Sequence, residues 1–199
     1  MATQAALVTD ILLVDRCKDG DDAATRELFR LYQKRVHATL YRILGNRSEM
    51  DDLMQETFIQ VFRGLHNFRA EARLSTWIDR ITVRVAYRYI GRSKKTPTPV
   101  EDFDHLQSTE PAPSALTASR VAVDRLYDAL AQLPASSRIA FALYEIDGKS
   151  VAEVASIVGA AKSATKLRIW RARRALMKIA SSDPVLAEFL DGTTMGETQ

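Results

Sequence analysis

Apolar residues along this chain recur every three or four positions, and no run alternates apolar with polar for long. That period belongs to helices packed on one side, so the pattern predicts an all-α protein. Leu7, Ile11 and Val14 predict a short helix over 5–17, followed by a turn at Lys18-Asp19-Gly20-Asp21. Asp21 or Asp22 can cap the next helix, Ala23 to Leu44, whose face is set by Ala24, Leu28, Leu31, Tyr32, Arg35 and Val36. Gly45-Asn46 ends it. Met54, Phe58, Val61 and Leu65 form the core stripe of a third helix, which Ser48 and Asp51 can open as a capping box. A loop at His66-Asn67-Phe68 leads to a fourth helix, capped by Ser75, with Ile78, Ile81, Val85 and Tyr89 inward.

The pattern then breaks. From Thr96 to Ala118 there are four prolines (Pro97, Pro99, Pro111, Pro113), the acids Glu101, Asp102, Asp104 and Glu110, and no Lys or Arg. Such a segment buries little and predicts an extended linker. At about 3.3 Å per residue it reaches roughly 75 Å, or about twenty base pairs of duplex. Beyond it, Val123, Leu126, Tyr127 and Leu130 form one stripe, stopped at Leu133-Pro134. Ser136 or Ser137 can cap a helix with Ile139, Leu143 and Ile146 inward and Gly148 past its end. Ser150 opens another, with Val151, Val154, Ala155 and Val158 on one side. A turn at Gly159-Ala160-Ala161 precedes a last helix from Lys162 to Ala180, so this half has the form of a helix-turn-helix. After Ser182 the tail turns acidic, and Leu186, Phe189 and Leu190 could pack on the second half.

Charge adds a second layer. The net charge of +3 is small, but its distribution is not even. Glu49, Asp51, Asp52 and Glu56 open the third helix without a cation among them, which calls for a basic protein surface. Arg73, Arg80, Arg84, Arg88, Arg92, Lys94 and Lys95 follow, interleaved with Trp77, Tyr87 and Tyr89; Phe68 and Arg69 sit on the loop that feeds them. Cations suit phosphates and aromatic faces suit unstacked bases. The last helix has no acid between Lys162 and Lys178. Laid out at 100° per residue, Thr165, Ile169, Ala172 and Leu176 face inward. Ser163, Lys166, Leu167, Trp170 and Arg171 would then approach base edges, with Arg173, Arg174 and Lys178 on phosphates.

Other chemistry is thinly represented. His37, His66 and His105 are scattered, no metal-ligand spacing or phosphate-cradling glycine loop is present, and no nucleophile is paired with a base. The sequence therefore predicts no enzyme, no metal and no cofactor. A metal-dependent nuclease using Asp51 and Asp52 is the enzymatic alternative. Cys17 is the one cysteine, no apolar run reaches membrane-span length, and no signal peptide is visible, so the expected compartment is the cytoplasm without membrane insertion.

Asp51-Asp52-Leu53-Met54-Gln55-Glu56-Thr57-Phe58, then Phe68-Arg69, then Leu74-Ser75-Thr76-Trp77-Ile78-Asp79-Arg80-Ile81 closely resembles conserved region two of bacterial sigma factors of the extracytoplasmic-function type. Ala129-Leu130 through Leu133-Pro134, Arg138, Gly148, Val154-Ala155 and Lys166 through Arg173 resemble region four. The resemblance implies two small helical domains at 1–95 and 119–182, with a linker at 96–118 and a tail at 183–199. It implies a chain, monomeric when free, that binds RNA polymerase core, directs initiation at promoter DNA, and is controlled by an anti-sigma partner. Core binding would fall to Asp51, Asp52, Gln55, Glu56 and Ile59. Reading and melting of the −10 element would fall to Phe68, Arg69, Arg73, Ser75, Thr76, Trp77, Arg80, Arg84 and Arg88. The −35 element would be read by Ser163, Lys166, Leu167, Trp170, Arg171, Arg173 and Arg174. Two departures concern promoter preference: Arg84 stands where the family usually has Asn, and Ser163-Ala164-Thr165-Lys166-Leu167-Arg168 replaces the usual start of the recognition helix. The competing reading is a polymerase-independent helix-turn-helix regulator with an N-terminal sensor or dimerisation module.

Overall fold

The computed structural model describes residues 2–45, 47–93 and 115–187, and these residues are helical and without strands. The first half comprises α1 (Ala2–Lys18), α2 (Asp22–Leu44), α3 (Met50–Gly64) and α4 (Leu74–Ser93), with a 3-10 turn at Leu65–Asn67. The second comprises α5 (Ala115–Gln132), α6 (Ala135–Phe141), α7 (Val151–Val158) and α8 (Lys162–Ala180). A π-helical turn, Ala142–Ile146, extends α6.

Helix starts divide into those the local sequence supplies and those supplied from afar. Asp21 caps α2, its Oδ1 accepting from the N–H groups of Ala23 and Ala24. Ser150 and Glu153 form a reciprocal capping box on α7. The other expected caps are not used. Ser48 donates to Glu49 Oε2 and leaves α3 without a side-chain cap. Ser75 lies inside α4, whose leading N–H at Leu74 is received by Asp10 Oδ2 at 3.1 Å, from α1. Neither Ser136 nor Ser137 caps α6; the helix starts directly after Pro134, whose ring fixes φ at −57° while its ψ of 138° is still extended. α4 and α6 begin one or two residues before the serines expected to cap them, whereas α3 begins two residues after Ser48, with Glu49 at its N-cap.

Packing follows the apolar stripes in the main, with Tyr32, Tyr89, Val123, Leu126, Ile146, Val151 and Val158 half-buried at their margins and Arg35 exposed. Leu28, Val36, Leu40, Ile43 and Leu44 of α2, Leu53, Phe58 and Val61 of α3, and Leu74, Ile78, Ile81 and Val85 of α4 are buried together. Leu31 is not among them; it remains 60% exposed. Met54 is half-buried, its expected place in the core taken by Leu53 and Thr57. In the second half Tyr127, Leu130, Leu133, Ala172, Leu176 and Ala180 form a smaller cluster, closed by Leu186 of the tail. A helical turn at 184–187 carries Leu186, with Asp183 Oδ1 accepting from Val185 and Leu186 N–H. Phe189 and Leu190 lie outside the described residues.

The two halves share a core. Ile139, Ala140, Ala142, Leu143, Val154, Ile157 and Ile169 of the second half join the cluster built by α1 to α4. α4 is buried on a second side as a result, through Asp79, Val83, Ala86 and Ile90. Gly45 marks one close approach. Its φ of 74° favours glycine, and a Cβ there would lie 2.8 Å from the Tyr127 ring. Arg138 marks another: buried, it donates from Nε to the Ile43 carbonyl at 2.7 Å, at the C-terminal end of α2. Burial pushes the Arg138 guanidinium down to about 10.

Candidate functional site

Three surfaces carry the residues singled out by the sequence. On the first, Asp51, Asp52, Gln55 and Ile59 of α3 are exposed, Ile59 by 42%. Asp51, Gln55 and Ile59 border a shallow groove of 570 Å³ whose other wall is Phe29, Gln33 and His37 of α2. Its floor is aromatic, with Phe29 and Phe58 ring centroids 4.6 Å apart and Phe58 and Phe62 6.0 Å apart. A half-exposed aromatic floor with acid and amide at one lip suits a helical partner with apolar and basic side chains. The α2 wall escaped the sequence reading, although Phe29, Gln33 and His37 recur every four residues. Glu56 is not on this groove. Its carboxylate receives Arg88 at 3.0 Å, Arg92 at 3.4 Å and Gln60 at 3.2 Å, so it ties α3 to α4.

The second surface is the loop and the outer side of α4. Arg69, Arg73, Arg84, Tyr87 and Arg88 are exposed, and Ser75, Thr76, Trp77 and Arg80 are half-buried. Ala70 adopts a φ of 56°, a left-handed turn between Arg69 and Arg73. Phe68 differs from expectation: its ring is 8% exposed and meets Trp77 edge-on, with centroids 5.5 Å apart. The Trp77 ring in turn lies against Gly64, where an added Cβ would be 3.1 Å from Trp77 Cζ2. Phe68 is thus a core residue that fixes the loop rather than an open stacking face. Arg80 donates from Nε to the Ser156 carbonyl and from a terminal nitrogen to Ser156 Oγ, both at 3.0 Å. With Val83, Arg84, Tyr87 and Arg168 it lines a cleft of 640 Å³ between α4 and the second half.

The third surface is α8. Thr165, Ile169, Ala172 and Leu176 are buried, as the helical layout required. Ser163, Lys166, Leu167, Trp170, Arg171 and Arg174 are exposed, Leu167 by 45% and Trp170 by 52%. Gly159, left-handed at φ 64°, ends α7 and turns the chain into α8. The Arg174 guanidinium stands 5.4 Å over the Trp170 ring and holds it in place. Arg173 is engaged differently, paired with Glu145 and lying 5.8 Å over the Tyr144 ring. Leu186 seals α5 against α8 on the inner side, so the described part of the tail does not cover Trp170.

Among the described residues no group of three or more His, Cys, Asp and Glu side chains could hold a metal ion. Nor is any described helix long and apolar enough to cross a membrane.

Comparison with known proteins accounts for both halves. A family model for Sigma-70 region 2 matches residues 28–96, and one for Sigma-70 region 4 matches residues 124–176. The ECF RNA polymerase sigma-E factor of Haemophilus influenzae is 30% identical over 180 residues, which cover 85% of this chain and 94% of that protein. The chain belongs to the extracytoplasmic-function sigma factors. Sigma-E of Escherichia coli K12 is similar to the same degree, 30% over 179 residues covering 85% and 93% of the two chains. Among solved structures, CnrH in complex with the cytosolic domain of CnrY matches with a TM-score of 0.61 at 22% identity, over 87% of this chain and 98% of that one. Bartonella quintana RpoE, in complex with the anti-sigma factor NepR, matches with a TM-score of 0.54 at 22% identity, over 79% and 97%. At that identity the two structures speak for the fold. As a sigma factor this chain directs RNA polymerase to promoters, and its family is one of non-enzymatic initiation factors.

Proposed function

We propose that the sigma factor divides its task among the three surfaces. The groove between α2 and α3 docks on polymerase core, with Asp51, Asp52, Gln55 and Ile59 on one wall and Phe29, Gln33 and His37 on the other. Glu56 contributes from behind by holding α3 on Arg88 and Arg92. Arg69, Arg73, Ser75, Thr76, Arg80, Arg84 and Arg88 engage the −10 element as a strand is opened, with Phe68 and Trp77 bracing the loop. Ser163, Lys166, Leu167, Trp170 and Arg171 read the −35 element in the major groove; Arg173 and Arg174 take phosphates. In this reading residues 1–95 and 119–182 act as the two functional domains, 96–118 as the spacer and 183–199 as the tail.

One observation carries the assignment: the same chain presents an acid-lipped aromatic groove on α3 and an acid-free cationic face on α8. A duplex-binding regulator has use for the second and none for the first. Regulation by an anti-sigma partner extends to this chain what CnrH and Bartonella RpoE do with CnrY and NepR, and the exposed Leu167 and Trp170 would suit a helix that also blocks DNA. The protein would act in the cytoplasm, where core and promoter are.

The test is gel filtration with purified core. Wild-type chain should co-elute; Ile59→Asp combined with Asp51→Lys should not, at unchanged helicity. Co-elution of the double variant at wild-type yield contradicts the docking surface.

A further inference from the structure

The loop that carries Arg69 and Arg73 is bracketed by two backbone hydrogen bonds. Phe68 N–H is received by the Leu65 carbonyl at 3.0 Å, and Trp77 N–H by the Arg73 carbonyl at 3.1 Å. Between them Ala70 sits at a φ of 56°, a left-handed conformation that a residue with a Cβ adopts at a cost. Such a loop keeps its shape only if both ends are held. The front end is held by the Phe68 ring, set edge-on against Trp77. The far end enters α4 at Leu74, which is fully buried.

The local sequence cannot cap that end. Arg73 immediately precedes α4, but a guanidinium only donates, and it sets a cation at the positive end of the helix. Ser75 already lies inside the helix. The Leu74 N–H is received instead by Asp10 Oδ2 at 3.1 Å, across 64 positions of chain. A carboxylate there both accepts the bond and offsets the helix dipole. Asp10 is half-buried on α1, which packs against α2 and against the 3-10 turn that opens the loop. Leu13 and Val14 fix α1 in the core. Tyr32 of α2 steadies the carboxylate. Burial, then the adjacent and hydrogen-bonded Asp10, push its phenol up to about 12, so the hydroxyl keeps its proton. The family match to region 2 begins at residue 28, so α1 lies outside it.

We infer that Asp10 is a positioning residue for the −10 element: from α1 it caps α4 and thereby sets where Arg69 and Arg73 stand as a strand is opened. The inference rests on the reading of this loop as part of the −10 surface. Without the Asp10 oxygen the Leu74 N–H loses its acceptor, and nothing at the far end holds the chain in the left-handed turn at Ala70. Core docking is separable from this role. The groove assigned to it, lined by Phe29, Gln33, His37, Asp51, Gln55 and Ile59, includes neither Asp10 nor Tyr32.

The experiment uses reconstituted holoenzyme and a duplex fragment on which the wild-type holoenzyme starts transcripts, beside the same fragment with its −10 region premelted. The rate of the first abortive product is read on both. Asp10→Ala should co-elute with core as wild type does, yet start about tenfold more slowly on the duplex, equivalent to about 1.4 kcal/mol and on the scale of a lost helix cap. The deficit should largely disappear on the premelted fragment, where strand separation is no longer required. Asp10→Ser, whose oxygen stops one bond short of the Leu74 N–H, gives a second variant and should behave as Asp10→Ala does. Asp10→Asn keeps an accepting oxygen and should restore most of the rate. Wild-type rates from the Ala and Ser variants overturn the role, as does an Asn variant as slow as they are. An equal deficit on both fragments reduces Asp10 to a stabiliser of the fold and overturns it too. Holoenzyme carrying Arg69→Ala with Arg73→Ala separates the underlying reading. If that variant starts as wild type does on the duplex, the loop is not part of the −10 surface; if it is slow while the Asp10 variants are not, the positioning role alone fails.

Discussion

An aromatic ring between a loop and two arginines invites a base to stack on it, but the Phe68 ring is already committed to Trp77 and the core. Its value should register as stability before it registers as DNA binding. Phe68→Ala is expected to lower unfolding free energy by about 3 kcal/mol, in the range for losing a buried phenyl ring, as a shift of the urea midpoint. A change below about 0.5 kcal/mol, typical of surface positions, would return the ring to solvent and to the DNA. Glu153 supplies a prediction of opposite character. The Ser150 hydroxyl and backbone N–H bonded to it hold its carboxyl below the usual range. A folded-state value below the unfolded one contributes stability above the unfolded value, and loses it as pH falls through the folded one. Glu153→Gln should therefore cost a little at pH 7, under about 0.5 kcal/mol for so exposed a group, and nothing near pH 2. An equal cost at both pH values would show that the charge is irrelevant to the cap.

At the level of helices, α8 was legible almost completely and α4 only by half. Thr165, Ile169, Ala172 and Leu176 sit at an unbroken helical period, and every charge between them is a cation, so inner and outer sides separate on inspection. On α4 the stripe Ile78, Ile81, Val85 was visible because it is apolar. The second stripe contains Asp79, which reads as solvent-facing until Arg35 and Lys149 are seen to neutralise it. The same limit hid the cap from Asp10 and the groove wall on α2: partners many positions apart leave no periodic trace. Conversely Glu56, grouped by sequence with Asp51 and Asp52, turns toward Arg88 and Arg92. For α8 the expected outcome is a division of labour measurable by salt titration of −35 duplex binding. Arg174→Ala should reduce the slope of log affinity against log salt by about 1, with little effect on sequence preference. Arg171→Ala should cost about 1–3 kcal/mol and relax preference at one position. Equal effects from both would remove the distinction between phosphate and base contacts.

The whole molecule joins an acid-lipped groove on α2 and α3 to a cationic face on α8, and neither accounts for initiation alone. The family resemblance was readable because region two and region four keep their motifs in order; the shared core between the halves was not, since it depends on distant apolar positions meeting. The most direct test is 5′-end mapping of transcripts from sheared genomic DNA, with purified core alone, with core plus wild-type chain, and with core plus the Ile59→Asp, Asp51→Lys variant. New transcripts should begin only with core and wild-type chain together, downstream of a common pair of elements about two helical turns apart. If the variant produces the same starts, or if the chain without core protects the same sites with equal affinity, polymerase is not reached through α3 and the account is wrong.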